Sequence, residues 1–148
     1  MLNTPRIKKI TARAFKRYGR IIEHPLKNSH SKSINLFHIV IRDAKSPGWR
    51  IAYLIVRDKT IDRLEQHPLT FETFEPVKGR ALLYLSCAPR RGRIDCFLLD
   101  RPVILKKGIW HGIVTRTREA EIKITENAAV KSHFWKVKLG LNHKLSGA

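Results

Sequence analysis

Between Trp49 and Glu126 the chain is a succession of short β-branched and aromatic runs, each closed by a turn signal. The runs are Trp49–Arg57, Ala81–Cys87, Ile94–Leu99, Val103–Lys106, Ile109–Thr115 and Ala120–Glu126. Pro89-Arg90-Arg91-Gly92, Asp100-Arg101-Pro102, Lys107-Gly108 and Arg116–Glu119 part the later ones. Strands at this spacing fold as an all-β sandwich or barrel, and the pattern excludes a βαβ array. A further run, Ile34–Arg42, precedes the Asp43–Gly48 turn signal and is expected to be another strand. Trp49–Arg57 is largely apolar on both faces, with Trp49, Ile51, Tyr53 and Ile55 on one and Arg50, Ala52, Leu54 and Val56 on the other. That pattern is expected of a strand sandwiched between layers, and Tyr53 and Tyr84 are placed toward the barrel interior. Before the strands, Thr11 is an N-cap for a short helix that puts Phe15 and Tyr18 on one face and Gly19 past its end. Arg20–Glu23 reads as a short strand and Pro25–Ser33 as a loop.

At 148 residues the chain has the length of one domain with a single core. The expected layout is a barrel domain over 1–130 and a basic tail over 131–148 docked on it, since Phe134, Trp135, Val137, Leu139 and Leu141 give that tail apolar weight. No apolar run has the length of a membrane span, and Met1–Lys9 lacks the apolar stretch of a secretory signal. Cys87 and Cys96 are too few for a disulfide framework and are expected to be reduced core thiols. Together these features predict a cytoplasmic protein. Thirty Lys and Arg stand against twelve Asp and Glu, a net of +18. Such a surface attracts anions, non-specifically bound nucleic acid included. The basic residues are scattered, however, and no zinc finger, helix-turn-helix or aromatic-basic reading motif accompanies them.

The chemistry concentrates in Glu65–Gly79, which spaces Glu65, His67, Glu72 and Gly79 as E-x-H-x4-E-x6-G. On a strand the two-residue step puts Glu65 and His67 on one face. Glu72 follows on the return of the chain, and Gly79 frees the backbone for the turn into the next run. A second piece, Gly108-Ile109-Trp110-His111, adds an imidazole. Carboxylates and imidazoles on one face hold a divalent metal or act as an acid/base pair without one. The plain alternatives are a structural Glu65–His67 pair, a surface Glu72 and a solvated Lys107.

These pieces resemble the two motifs of the cupin superfamily of small β-barrels, H-x-H-x3,4-E-x6-G and G-x5-P-x-G-x2-H-x3-N. Glu65 stands for the leading histidine of the first. Gly108 and His111 keep the second, with Lys106 in place of proline and Thr115 in place of asparagine. Leu64-Glu65-Gln66-His67-Pro68-Leu69, Phe74-x-Pro76-x-x-Gly79 and Gly108-Ile109-Trp110-His111 are similar to the ureidoglycolate lyase (formerly hydrolase) family, a cupin-like branch. The chain departs from that pattern at Gly112 and Lys106, where the family has histidines, and at Glu72, where it has glutamine.

The resemblance implies a cupin-like, jelly-roll-type barrel and an enzyme that cleaves a carbon–nitrogen bond to release urea and glyoxylate in allantoin and purine catabolism. It implies His111, His67 and Glu65 as catalytic groups. Glu65, His67, Glu72 and His111 face a divalent metal (nickel, zinc or manganese), with no organic cofactor. Lys107, Arg50 and Tyr84 are the substrate-binding candidates. A homodimer acting on a small anionic substrate is the expected state, with no membrane partner. Two other readings remain open at this point: a cupin enzyme or anion-binding barrel with a different substrate, and a non-catalytic basic barrel.

Overall fold

The computed structural model describes residues 4–26 and 34–141. Eleven strands and one short helix follow in chain order: β1 (Ile7–Lys8), α1 (Ala12–Phe15), β2 (Gly19–Ile21), β3 (Trp49–Val56), β4 (Ile61–Gln66), β5 (Glu72–Lys78), β6 (Ala81–Ala88), β7 (Arg93–Leu99), β8 (Val103–Leu105), β9 (Trp110–Thr115), β10 (Ala120–Asn127) and β11 (His133–Leu141). They form a six-stranded sheet, β1-β7-β6-β9-β4-β11, and a five-stranded sheet, β2-β8-β5-β10-β3. All pairings are antiparallel except β1 with β7. This is an all-β arrangement of two sheets with a short N-terminal helix, as the turn spacing and the Thr11 cap predict.

The main core lies between the sheets. Alternate residues of β6 (Ala81, Leu83, Leu85) and of β10 (Ala120, Ile122, Ile124) meet there with Phe97, Phe74 and Val103. The N-terminal segment closes one end of it. Thr11 caps α1 by accepting the Ala14 N–H at 3.1 Å, and Phe15 then packs edge-on against Phe97 with ring centroids 5.4 Å apart. Each such aromatic burial stabilises the fold by about 1.5–3 kcal/mol. A second cluster, Leu64, Leu82, Tyr84, Cys96, Val114 and Val137, is made by the opposite set of alternating residues of the six-stranded sheet.

Several sequence expectations change. Ile34–Arg42 is irregular, not a strand: its apolar residues satisfy a strand pattern, but a strand also needs a partner for its backbone groups. Strand β3 is the edge of its sheet, and it is covered on one face only. Trp49, Ile51, Tyr53 and Ile55 are exposed, and Tyr53 points away from the interior. Helix α1 ends at Phe15, and Gly19 belongs to β2 rather than following the helix. A Cβ at Gly19 would lie 1.9 Å from the Ile104 carbonyl oxygen, so glycine is required there for strand approach. Strand β4 begins at Ile61 and runs directly into the Glu65–Gly79 segment. Cys87 is exposed, and only Cys96 is a buried thiol; burial pushes Cys96 up to about 12. Residues 27–33 of the expected Pro25–Ser33 loop and 142–148 of the expected tail lie outside the described residues. Residues 133–141 of that tail form β11, which pairs with β4. Among the described residues no helix is long and apolar enough to cross a membrane.

Gly79 makes the β5–β6 turn at φ +74°, with a Cβ position 2.3 Å from the Glu119 carbonyl oxygen. Left-handed backbone and steric overlap act together at this position. Gly79→Ala is expected to lower stability by about 2–4 kcal/mol, read as a fall in the urea midpoint at unchanged slope. A midpoint equal to that of the parent would show that the turn relaxes freely.

Candidate active site

Two rows of side chains, one from each sheet, face each other near one end of the barrel. In the five-stranded sheet, strand register sets Arg50 of β3 opposite Glu126 of β10, and Glu126 opposite Glu72 of β5. In the six-stranded sheet, Glu65 of β4 lies opposite His111 of β9. His67, one residue beyond β4, joins them. Its position is fixed by a clamp between the end of β4 and the turn before β9. The Gly108 N–H donates to the His67 carbonyl at 2.9 Å, and the Gln66 side-chain amide donates to the Gly108 carbonyl at 2.7 Å. Gly108 itself adopts φ +80°, which only glycine takes readily.

The two imidazoles are oriented alike. His67 Nδ1 lies 3.2 Å from the Lys131 carbonyl and 3.1 Å from Ser132 Oγ, and His111 Nδ1 lies 3.1 Å from the Ile109 carbonyl. A carbonyl only accepts, so Nδ1 of each ring donates, which leaves Nε2 as the atom that can offer a lone pair. Those lone pairs converge on one carboxylate: His111 Nε2 is 3.2 Å and His67 Nε2 3.5 Å from Glu72 Oε2. Glu65 Oε1 stands 3.7 Å from His67 Nε2.

Burial decides the electrostatics. Glu72 is raised from its ordinary value of 4.5 to about 9, by burial first and then by the charges of Glu126 and Glu65, against the pull of Arg50. His111 is lowered from 6.5 to about 4, chiefly by burial, so it is neutral at physiological pH. Glu72 Oε2 is fully buried without a hydrogen-bond partner among the described residues. Two lone pairs and a carboxylate oxygen meeting without a hydrogen between them repel, unless a proton or a cation sits at the centre. The donor set of imidazole nitrogen and carboxylate oxygen fits a divalent ion of the zinc, nickel or manganese kind. Donor atoms of Glu65, His67 and His111 lie within 4.8 Å of one another, as do those of His67, Glu72 and Glu126. The residues present therefore fit such a group.

A cavity of about 530 Å³ reaches this cluster, a volume suited to a small molecule. It follows from the strand pairing: β4 and β9 pair only at Glu65–His111. On either side of the opening stand Ile61, Asp62, Arg63 and Glu65 of β4 and His111, Gly112 and Ile113 of β9, with Glu72 and Phe74 below.

Of the residues singled out in the sequence, Glu65, His67, Glu72 and His111 are brought together. Arg50 reaches the same neighbourhood, but its guanidinium pairs with Glu126 at 3.1 Å instead of lining the cavity. Lys107 pairs with Asp43 at 3.1 Å and lies over the Phe71 ring, also away from the cavity lining. Tyr84 is corrected most plainly. It is wholly buried in the second cluster, because on β6 it alternates with the inward Leu83 and Leu85. Sequence reasoning missed two residues. Arg63 is the only lysine or arginine in the cavity lining, and its two-residue step to Glu65 on β4 was an available signal. Glu126 continues the inward face of Ala120, Ile122 and Ile124, where a carboxylate is out of place unless something answers its charge.

No protein-family model matches the chain. Two curated proteins named ureidoglycolate lyase, from Rhizobium leguminosarum bv. trifolii and Rhizobium etli, are each 27% identical to it over 120 residues. Each match covers 71% of this chain and 72% of the relative. Among solved structures, oxalate decarboxylase of Bacillus subtilis aligns with a TM-score of 0.46 at 14% identity, over 61% of this chain and 24% of that one. A dTDP sugar isomerase from Desulfovibrio desulfuricans aligns with a TM-score of 0.44 at 13% identity, over 87% of this chain and 78% of that one. The chain thus resembles curated ureidoglycolate lyases in sequence beyond the motifs themselves.

Proposed function

We propose that the protein is a metal-dependent carbon–nitrogen lyase that releases urea from ureidoglycolate and leaves glyoxylate. The observation that carries this reading is the convergence of two imidazole Nε2 atoms on a buried carboxylate oxygen, with His111 and Glu72 of that cluster lining a small cavity. The curated relatives of that name support the choice of substrate.

His67, His111 and Glu72 are the residues that would hold a divalent ion. Bound there, it would supply Lewis-acid chemistry, lowering the pKa of a substrate hydroxyl and offsetting the surrounding carboxylates. Glu65 is the acid/base group. Its side chain is 38% exposed on the cavity wall, so it can reach a substrate proton. As base it takes the hydroxyl proton of the carbinolamine; the carbon–oxygen bond becomes double and the carbon–nitrogen bond breaks. The same carboxyl then returns the proton to the departing urea nitrogen, so the cleavage consumes no water. Arg63 holds the substrate carboxylate, taking over the role first given to Lys107 and Arg50.

Asp58, Asp62, Glu65 and Glu72 also line the cavity, against the single cation Arg63. An anionic substrate therefore needs the added positive charge of the ion. That lining favours a second reading, a metal-dependent barrel enzyme acting on a less anionic small molecule. The deciding experiment is glyoxylate release from ureidoglycolate by the purified protein, with nickel, manganese or zinc supplied separately, beside His111→Ala. The expected result is metal-dependent turnover that the variant loses. Folded protein that binds metal but leaves ureidoglycolate intact would favour the second reading.

A further inference from the structure

Glu126 is more than 90% buried, yet only one of its oxygens is spoken for. Arg50, directly opposite on the edge strand β3, donates from Nη2 to Glu126 Oε1 at 3.1 Å. The other oxygen, Oε2, is buried and has no hydrogen-bond partner among the described residues, and the same holds for Oε2 of Glu72, the next residue across the sheet. Like charges directly opposite on neighbouring strands destabilise a sheet, and an unanswered buried carboxylate oxygen costs more still. Each carboxylate offers an oxygen that, with a ring nitrogen of His67, forms a triad within 4.8 Å. Ligands of one ion lie roughly 3–4 Å apart for metal–ligand bonds near 2.1 Å, so the triad is within reach of a common cation.

We propose that Glu126 is itself an ion ligand, its free Oε2 completing the seat made by His67 and Glu72, with Arg50 as the tether that aims it. This rests on the reading of the cluster as an ion site and goes beyond the four residues of the sequence motifs. The charges close: three carboxylates (Glu65, Glu72, Glu126) are met by one guanidinium and one divalent cation. Glu65, the most exposed of the three carboxylates, is then left free to move protons. Adding a carboxylate makes the donor set richer in oxygen, which favours a harder ion such as Mn²⁺.

The test is a Mn²⁺ titration of chelator-treated protein, following the electron paramagnetic resonance signal of free aqueous Mn²⁺. The parent is expected to take up one ion per chain. Glu126→Gln keeps the shape and an acceptor for Arg50 but replaces the free oxygen by an amide, and is expected to bind at least about tenfold more weakly. Arg50→Lys keeps the positive charge and the buried carboxylate but loosens the tether, so it serves if the glutamine variant fails to fold; it is expected to bind severalfold more weakly. Uptake by the parent with unchanged affinity in the folded variants overturns the role of Glu126 alone. A parent that takes up no Mn²⁺, Ni²⁺ or Zn²⁺ overturns the ion site and this proposal together.

Discussion

His67→Ala is expected to abolish divalent-ion uptake and to lower glyoxylate release by roughly a thousandfold, the loss of about 4 kcal/mol of transition-state stabilisation. The size follows from position. His67 belongs to both groups that could hold an ion among the described residues, so neither survives its removal whole, whereas loss of Glu65 leaves the other intact. Its ring is also the one whose orientation is fixed from outside the strands, by the Lys131 carbonyl and the Ser132 hydroxyl. Ser132→Ala removes one of those two contacts and is expected to cost about tenfold in ion affinity. Calorimetric titration with Mn²⁺, Ni²⁺ and Zn²⁺ checks both variants, with far-UV circular dichroism to establish that each folds. A folded His67→Ala protein that binds the ion as the parent does would remove His67 from the site. It would leave Glu72 and His111 as an acid/base pair without metal.

How much of this could be read beforehand depends on the range of the contacts. The approach of Glu65, His67 and Glu72 is local, a strand end and its return, and motif spacing encodes it. His111 sits one β9–β4 pairing away and was reachable because its own motif places it. Glu126 was not reachable by spacing. Its meeting with Glu72 depends on which strand β10 pairs with and in what register, and nothing local in Ala120–Asn127 states either. What the sequence does hold is a contradiction, a carboxylate closing an otherwise apolar face, and that is itself a site signal. Tyr84 failed for a different reason. The six-stranded sheet has an apolar cluster on each face, so alternation along β6 separates two buried sets without saying which is interior. On β3 the same ambiguity runs the other way: two apolar faces suggest a strand sandwiched between layers, but one of them is exposed. Ile34–Arg42 has the residues of a strand but pairs with none of the sheet edges among the described residues.

The second large effect concerns the chelator-treated protein, and its sign comes from two groups pulling in opposite directions. Glu72, raised from 4.5 to about 9, keeps its proton in the folded state while the unfolded chain releases it. The stability it contributes is full below about pH 4.5 and drains away as pH rises toward 9. His111, lowered from 6.5 to about 4, stays neutral when folded, so its contribution is present above pH 6.5 and is lost as pH falls toward 4. Between about 4.5 and 6.5 the two slopes cancel, and above 6.5 Glu72 acts alone. Chelator-treated protein is therefore expected to hold a level stability across the first interval and to lose about 2–3 kcal/mol from pH 6.5 to 9. Urea midpoints at pH 5.5, 6.5, 7.5 and 9 measure this directly. Glu72→Gln cannot ionise and is expected to flatten the alkaline limb, becoming more stable than the parent at pH 9. Saturating Mn²⁺ is expected to reverse the limb in the parent, because the ion takes the place of the proton and its affinity rises with pH. Parallel alkaline decline in parent and Glu72→Gln would show that the buried carboxyl is not the titrating group. The convergence of lone pairs on Glu72 would then need another resolution than a proton exchanged for a cation.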